Sequence, residues 1–221
     1  MAQSEGSCSQ TFFVSKAADA FYDSGKLYHI DGQHELAIQD YDEAIRLNPQ
    51  NAMAYYNRGS SYRFLGKVEQ AIKDCTETIR LEPLYAGTYV NRARLYHHIG
   101  QSEQALNDLN EAIRLEPQLV EAFISRSALY NELGQYEQSI QDSGKAIQLA
   151  PQAAAGYGNR ANAYAALGQY ERSIQDYDEV IRLNPQHAMA YYNRGGSYEA
   201  LGKSKEAERD FQKAKELGYN P

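Results

Sequence analysis

The sequence has no tryptophan and only two cysteines, Cys8 and Cys75, in 221 residues. Two cysteines cannot form the disulfide framework that is typical of small secreted domains. No apolar run approaches the roughly 18 residues that a membrane-spanning helix needs. The first twenty residues also lack the basic segment and the long apolar segment of a secretory signal. We therefore expect a cytoplasmic protein that is not associated with a membrane.

Basic charge is also scarce, since 22 lysines and arginines face 29 acidic residues and the net charge is -7. A nucleic-acid surface would need clustered Lys and Arg on one face, so we expect no nucleic-acid partner. His97 and His98 are adjacent and would point about 100° apart on a helix, which makes a poor chelate. No phosphate-binding loop, nucleophile elbow or paired-carboxylate site is recognisable. The sequence predicts no metal, no cofactor and no enzymatic activity.

What the sequence does have is a repeat with a step of 34 residues. A tyrosine, a glycine and, in all but the last copy, a proline recur at this step. The tyrosines are Tyr28, Tyr62, Tyr96, Tyr130, Tyr164 and Tyr198. We divide the chain into units 18–51, 52–85, 86–119, 120–153, 154–187 and 188–221. Residues 1–17 do not fit the period and are predicted to be a mobile tail that becomes helical around Ser15, a plausible N-cap.

Each unit is predicted to form two helices joined by a tight turn. Apolar and small residues recur three and four positions apart, which is the spacing of an amphipathic helix. In the second unit, Gly66 lies between the two helical patterns, where a left-handed residue would end the first helix. Pro83 closes the second helix, because it lacks a backbone donor and disfavours helix in the residue before it. The fold class is therefore all-α.

The repeat resembles the tetratricopeptide repeat family. That family has an aromatic residue, a small residue four positions later and a tyrosine three positions after that, followed by Ala, an aromatic and Pro. The last unit matches this pattern with Tyr191, Gly195, Tyr198, Ala207 and Phe211. The resemblance covers residues 18–221. It implies an α-solenoid, a right-handed superhelix of six helix-turn-helix hairpins whose first helices line a concave groove.

Four asparagines occupy one position of the first helices and are candidates for binding a partner. They are Asn57, Asn91, Asn159 and Asn193. Side-chain amides can pair with the backbone of an extended peptide without reading its side chains. The O-linked N-acetylglucosamine transferases carry a similar asparagine ladder on similar repeats. The alternative is a surface asparagine copied by repeat duplication, and the sequence leaves both interpretations open.

Other residues predicted to face the groove lie in the first three units and combine aromatic with basic character. They are Tyr22, Lys26, Tyr56, Arg63, Phe64, Val90, Arg94, His97 and His98. Aromatic residues and arginine dominate binding hot spots. We therefore expect the main contact here, with a segment of acidic or polar character.

A second pattern predicts how the units lock together. An arginine recurs in the first helices, as in Arg58 and Arg92, and an aspartate recurs in the second helices, as in Asp40 and Asp74. The first unit has Ser24 in place of the arginine, and it has no preceding unit. The sequence thus predicts that each arginine pairs with the aspartate of the preceding unit, Arg58 with Asp40, which leaves Asp210 over.

The function predicted from these features is a non-catalytic scaffold for protein–protein interaction that binds a partner peptide segment in its concave groove. The alternative is a structural or assembly protein that acts through its convex face or by self-association. The sequence names neither the partner nor the oligomeric state.

Overall fold

The computed structural model describes the backbone of residues 3–220 and the side chains from Val14 to Asn220. This part of the chain contains twelve α-helices and no strand. The helices are α1 Gln3–Ile30, α2 His34–Leu47, α3 Ala52–Phe64, α4 Val68–Leu81, α5 Ala86–His98, α6 Ser102–Leu115, α7 Val120–Glu132, α8 Tyr136–Leu149, α9 Ala154–Ala166, α10 Tyr170–Leu183, α11 Ala188–Ala200 and α12 Ser204–Glu216. They form six helical hairpins in series, so the predicted all-α solenoid fold is confirmed.

A glycine of left-handed conformation makes the turn within each hairpin. Gly66 has φ of 70°, a region that glycine enters without steric cost. Its N–H donates to the carbonyl of Arg63 at 3.0 Å, and the N–H of Lys67 donates to the carbonyl of Tyr62 at 2.9 Å. These two bonds are the Schellman arrangement that satisfies the last carbonyls of a helix. The turn predicted from the glycine spacing is confirmed.

Small residues lie where the two helices of a hairpin cross. A Cβ atom added to Gly59 would lie 3.1 Å from the Cβ of Asp74 and 3.4 Å from the carbonyl oxygen of Ala71. Ala71 itself is fully buried. The two backbones therefore approach closely, as the small residues predicted, and a larger side chain at Gly59 would force them apart.

The helix ends agree with the predicted role of proline, but the chain start does not agree with the prediction. Helix α4 ends at Leu81, two residues before Pro83. Helix α1 begins at Gln3 and includes Ser15 within it, so the prediction that the helix starts around Ser15 is wrong. Twelve further residues, Gln3 to Val14, extend the helix, and none of them is a proline that would stop it. The mobility of residues 1–17 stays a prediction, and Met1 and Ala2 lie outside the described residues.

The hairpins are grouped in two compact units, Met1–Leu115 and Glu116–Pro221, with three hairpins in each. In the first unit, α2 packs against α3, and α4 packs against α5. In the second unit, α8 packs against α9, and α10 packs against α11. The second helix of one hairpin thus lies on the first helix of the next within each unit, which is how a repeat array buries a continuous core.

The arginine–aspartate pairs join the two helices of one hairpin, so the predicted pairing between hairpins is wrong. Arg58 donates through Nε and Nη2 to both carboxylate oxygens of Asp74, at 2.8 and 2.6 Å. Asp74 lies directly across the crossing point from Gly59, the neighbour of Arg58, and this proximity decides the partner. Arg194 holds Asp210 in the same way at 2.7 and 2.8 Å. The aspartate without this partner is therefore Asp40, whose hairpin has Ser24.

A link between hairpins does exist, through a different residue. The Nη1 atom of Arg58 also donates to Asp42 of the preceding hairpin at 2.6 Å, and Arg92 donates to Thr76 at 3.1 Å. Asp42 lies two residues beyond the predicted Asp40. Half of its side chain is exposed, whereas Asp74 is 5% exposed. The buried, two-pronged bond within the hairpin is consequently the stronger one.

Candidate functional site

In the first unit, the asparagines predicted to face a partner form hydrogen bonds between neighbouring hairpins. Asn57 donates through Nδ2 to the hydroxyl of Tyr22 at 3.1 Å. Asn91 donates in the same way to the hydroxyl of Tyr56 at 2.9 Å. All four side chains are half-buried. Each asparagine therefore links its first helix to the preceding first helix through its Nδ2 atom.

The asparagines of the second unit follow the same pattern with different acceptors. Asn159 donates to the carbonyl of Ile124 at 3.0 Å and to the hydroxyl of Ser127 at 2.8 Å. Asn193 donates to Asn162 at a long 3.4 Å, and a hydrogen bond with Asn193 opposes the rise that burial causes in the pKa of Tyr177. Asn162 in turn accepts a short hydrogen bond from the hydroxyl of Tyr177. The four asparagines are thus equivalent in position and differ in what they bind.

Tyr56 and Tyr22 lie in aromatic surroundings. The Tyr56 ring packs edge-on against Tyr85, with 5.3 Å between ring centroids. Burial, and then the neighbouring Tyr85, raise the pKa of Tyr56 above its ordinary value. The ring of Tyr22 lies 6.2 Å from that of Tyr41, and the ammonium of exposed Lys26 lies 5.2 Å from the centre of the Tyr22 ring. Both tyrosines serve as hydrogen-bonding partners of the asparagines through their hydroxyls.

A cavity of about 380 Å³ in the first unit brings four of the predicted site residues together. Arg63, Phe64, Arg94 and His98 line it, with Leu95 among its apolar walls. The guanidinium of Arg63 lies 4.6 Å from the centre of the Phe64 ring, and 57% of Phe64 is exposed. None of the lining residues is acidic. The site combines an apolar wall with two arginines, which suits an anionic group that carries an apolar portion.

Behind Phe64 lies a histidine cluster that the sequence did not predict. The ring of His34 stacks on Phe64 with centroids 4.6 Å apart and an angle of 8° between planes. His29 lies 5.0 Å from His34 and forms a 2.8 Å hydrogen bond with the hydroxyl of Ser61. Burial, then the nearby His34 and Arg63, lower the pKa of His29. The His34 ring thus packs against Phe64, which also lines the cavity.

In the second unit, a cavity of about 270 Å³ opens beside Gly158. Asn159, Asn162, Tyr177 and Asn193 are among the residues that line it. Asn162, Tyr177 and Asn193 also line a second cavity of about 320 Å³. The signal for this feature was present in the sequence, because Gly158 is the only glycine in the column of Tyr22, Tyr56, Val90, Ile124, Gly158 and Tyr192.

The remaining predicted residues are placed as follows. Val90 is 3% exposed and belongs to the core, so its predicted position on the groove is wrong. It is short enough to pack beneath its neighbours, whereas Tyr22 and Tyr56 reach the surface. His97 is half-buried. Between Val14 and Asn220 no group of three or more His, Cys, Asp and Glu side chains could hold a metal ion.

One further feature concerns helix length and polarity. Among the described helices, none is both long enough and apolar enough to cross a bilayer.

Comparison with solved structures finds the same fold in several repeat proteins. A tetratricopeptide repeat protein from Parabacteroides merdae superposes with a TM-score of 0.80 at 24% identity, over 93% of this chain and 81% of that one. YrrB, described as a TPR protein with an unusual peptide-binding site, gives 0.64 at 20% identity, over 84% and 90%. The Cut9–Hcn1 hetero-tetramer of the APC/C gives 0.81 at 16% identity, over 96% of this chain and 43% of that one. At these identities the likeness shows the fold alone.

Comparison with family models gives the family directly, and a comparison with curated protein sequences finds no match. One TPR repeat model matches residues 25–63 and 161–202. Two tetratricopeptide repeat models match residues 50–125, and residues 120–152 and 188–217. Together these matches cover most of the six hairpins, and they agree with the turn glycines and helix crossings of the structure. This chain belongs to the tetratricopeptide repeat family.

Proposed function

We propose that this protein is a non-catalytic scaffold that binds an extended segment of a partner protein along its first helices. The observation that carries the proposal is the cavity beside Phe64, where Arg63, Arg94 and His98 surround an apolar wall and none of the lining residues is acidic. Solenoid repeats form extended binding surfaces of this kind. One structural neighbour is described as having a peptide-binding site, and another was solved within a complex.

Charge supports an acidic or polar partner segment. The chain as a whole carries a net charge of -7, so a cavity lined by two arginines runs against the overall sign. Arg63 is exposed and its guanidinium, with its N–H donor groups, lies over the Phe64 ring. A carboxylate of the partner would accept from these groups, while an adjacent apolar side chain would cover Phe64.

The asparagines extend the contact as acceptors. Because Asn57 and Asn91 use Nδ2 to hold Tyr22 and Tyr56, the groups they offer to a partner backbone are their Oδ1 atoms. An amide oxygen accepts from a peptide N–H. Each such asparagine would therefore have two roles, one within the array and one toward the partner.

The test begins with affinity capture from cell extract and identification of the captured protein by mass spectrometry. The double variant Arg63→Gln, Phe64→Ala should then weaken binding of the identified partner by about 2 kcal/mol or more, since it removes an exposed aromatic and a charged donor. Arg80→Gln is the matched control, because Arg80 is an exposed arginine on α4 that pairs with Glu77 at 2.8 Å. Calorimetry measures both.

A second pair of variants separates the two roles of the asparagines. Asn57→Ala with Asn91→Ala should weaken partner binding by about 2 kcal/mol or more if both Oδ1 atoms accept from it. Tyr22→Phe with Tyr56→Phe removes the same internal bonds but keeps both asparagines, and should leave binding unchanged. Full affinity in the Arg63/Phe64 and Asn57/Asn91 variants would reject the groove. The convex face or self-association would then take its place, and a concentration-dependent mass in light scattering would identify the latter.

A further inference from the structure

The cavity beside Gly158 lies where other hairpins of this chain have a tyrosine side chain. Tyr22, Tyr56 and Tyr192 occupy the equivalent position in three other hairpins. A Cβ atom added at Gly158 would have a single neighbour within 4 Å, the Cγ2 atom of Val180 at 3.8 Å. The backbone therefore leaves room for a side chain that the sequence does not supply.

The groups that hold the tyrosine elsewhere are still present around this cavity. Asn193 is the counterpart of Asn91, which binds the hydroxyl of Tyr56. His187 is the counterpart of Tyr85, whose ring packs on Tyr56, and it lines the cavity. Tyr177 is a third wall and corresponds to Tyr41, the ring 6.2 Å from Tyr22.

The tyrosine that the equivalent asparagine binds in the first unit is absent here, and Asn193 instead reaches Asn162 and the hydroxyl of Tyr177. Its bond to Asn162 is 3.4 Å long and exposed, against 2.9 Å for Asn91 with the Tyr56 hydroxyl. The cavity of about 270 Å³ exceeds the roughly 150 Å³ that is enough for benzene in an engineered protein core. An aromatic ring fits here, and a hydroxyl on that ring would lie beside the side-chain amide of Asn193, which lines the cavity.

We propose that this cavity is a socket for the phenol ring of a tyrosine brought by the partner segment. The ring would lie against His187 and Tyr177, and its hydroxyl would accept from Nδ2 of Asn193. This inference rests on the proposed function, because a partner must bring the ring. It adds a side-chain preference to a surface that otherwise recognises backbone and charge.

The test uses 4-methylphenol as the probe and the ¹⁵N-labelled full chain as the target. Millimolar probe should shift the backbone amide signals of Gly158, Asn162 and Asn193, and toluene, which has no hydroxyl, should bind more weakly. Gly158→Tyr should abolish the shifts by filling the socket, whereas Gly144→Tyr, another helical glycine with open space, should leave them intact. Asn193→Ala should remove the preference for 4-methylphenol over toluene.

A reverse variant keeps the test independent of how Gly158→Tyr folds. Tyr56→Gly should open a second socket and produce new shifts at Asn91. The proposal is overturned if the parent shows no shifts, if Gly158→Tyr keeps them, or if toluene binds as well as 4-methylphenol. None of these readouts involves a partner protein. A failure of the socket is thereby distinguished from a failure of the groove, which the Arg63 and Phe64 variants report.

Discussion

Removing the carboxylate of Asp108 should destabilise the protein far more than removing that of Asp40, although the two residues are equivalent in sequence. Asp108 accepts from Arg92 at 2.8 and 2.7 Å, and the side chains are 8% and 16% exposed. Asp40 lies in the hairpin where Ser24 replaces the arginine. Asp40→Ala is therefore a matched control for Asp108→Ala.

The loss of stability expected for Asp108→Ala depends on the contacts that Arg92 retains in the variant. Removing one partner of a buried ion pair typically costs about 3–5 kcal/mol, because the other charge is left buried. Arg92 retains a 3.1 Å bond to Thr76 and rings of Tyr96 and Tyr89 within 6 Å. It is also partly exposed, so we expect a cost near the lower limit, about 3 kcal/mol. Asp40→Ala should change stability by about 0.5 kcal/mol or less.

The assay is equilibrium unfolding in urea followed by far-ultraviolet circular dichroism, since guanidinium would screen the charges. Repeat arrays unfold with nearest-neighbour cooperativity, so both variants are fitted with the same repeat model. Costs that agree within about 0.5 kcal/mol for the two variants would refute the assignment of the pair to a single hairpin. A double variant, Arg92→Met with Asp108→Leu, should recover most of the loss, since no buried charge remains.

Three further predictions concern local features. Gly66→Ala should lower the free energy of unfolding by about 1 kcal/mol because φ is 70° there, whereas Gly144→Ala on helix α8 should raise it by up to about 1 kcal/mol. Urea unfolding of both variants measures this, and changes of the same sign would contradict the prediction. The lowered pKa of His29 means that the unfolded state binds the proton more readily, so stability is complete above the ordinary value of 6.5 and falls as the pH drops through it; His29→Gln should flatten that dependence in melts from neutral to mildly acidic pH. Burial raises the pKa of the Cys75 thiol to about 12, so in a Cys8→Ser background Ellman's reagent should react only after urea is added, and rapid reaction of the folded protein would disprove burial.

Several features of the fold could be read from sequence because they depend on local chemistry. Gly66 needs only the residues around it to form a left-handed turn, and Pro83 ends its helix through its own missing N–H. Gly59 and Ala71 predict a close crossing because a small side chain permits one wherever two helices meet. The family follows from the same residues.

The partners of polar side chains could not be read in this way. In a strict repeat, each arginine has an aspartate at the same position in its own hairpin and in the preceding hairpin. The sequence spacing alone therefore allows Arg58 to pair with either Asp74 or Asp40. The replacement of the arginine by Ser24 in the first hairpin is also compatible with both pairings. Only the position of Asp74 across the crossing from Gly59 decided between them. The packing of the two helices in a hairpin therefore determines which aspartate the arginine binds.

In the candidate site too, some features follow from the sequence and others only from the tertiary structure. The sequence by itself determined that asparagines recur on the first helices and that arginine and aromatic residues gather in the first three hairpins. The tertiary structure decided that Asn57 and Asn91 give their N–H groups to tyrosines, and that Gly158 leaves an open cavity. The physical reason is that the side chains that form these hydrogen bonds, or line this cavity, come from residues roughly one repeat apart in the sequence. The distances between them are fixed only when neighbouring helices pack together.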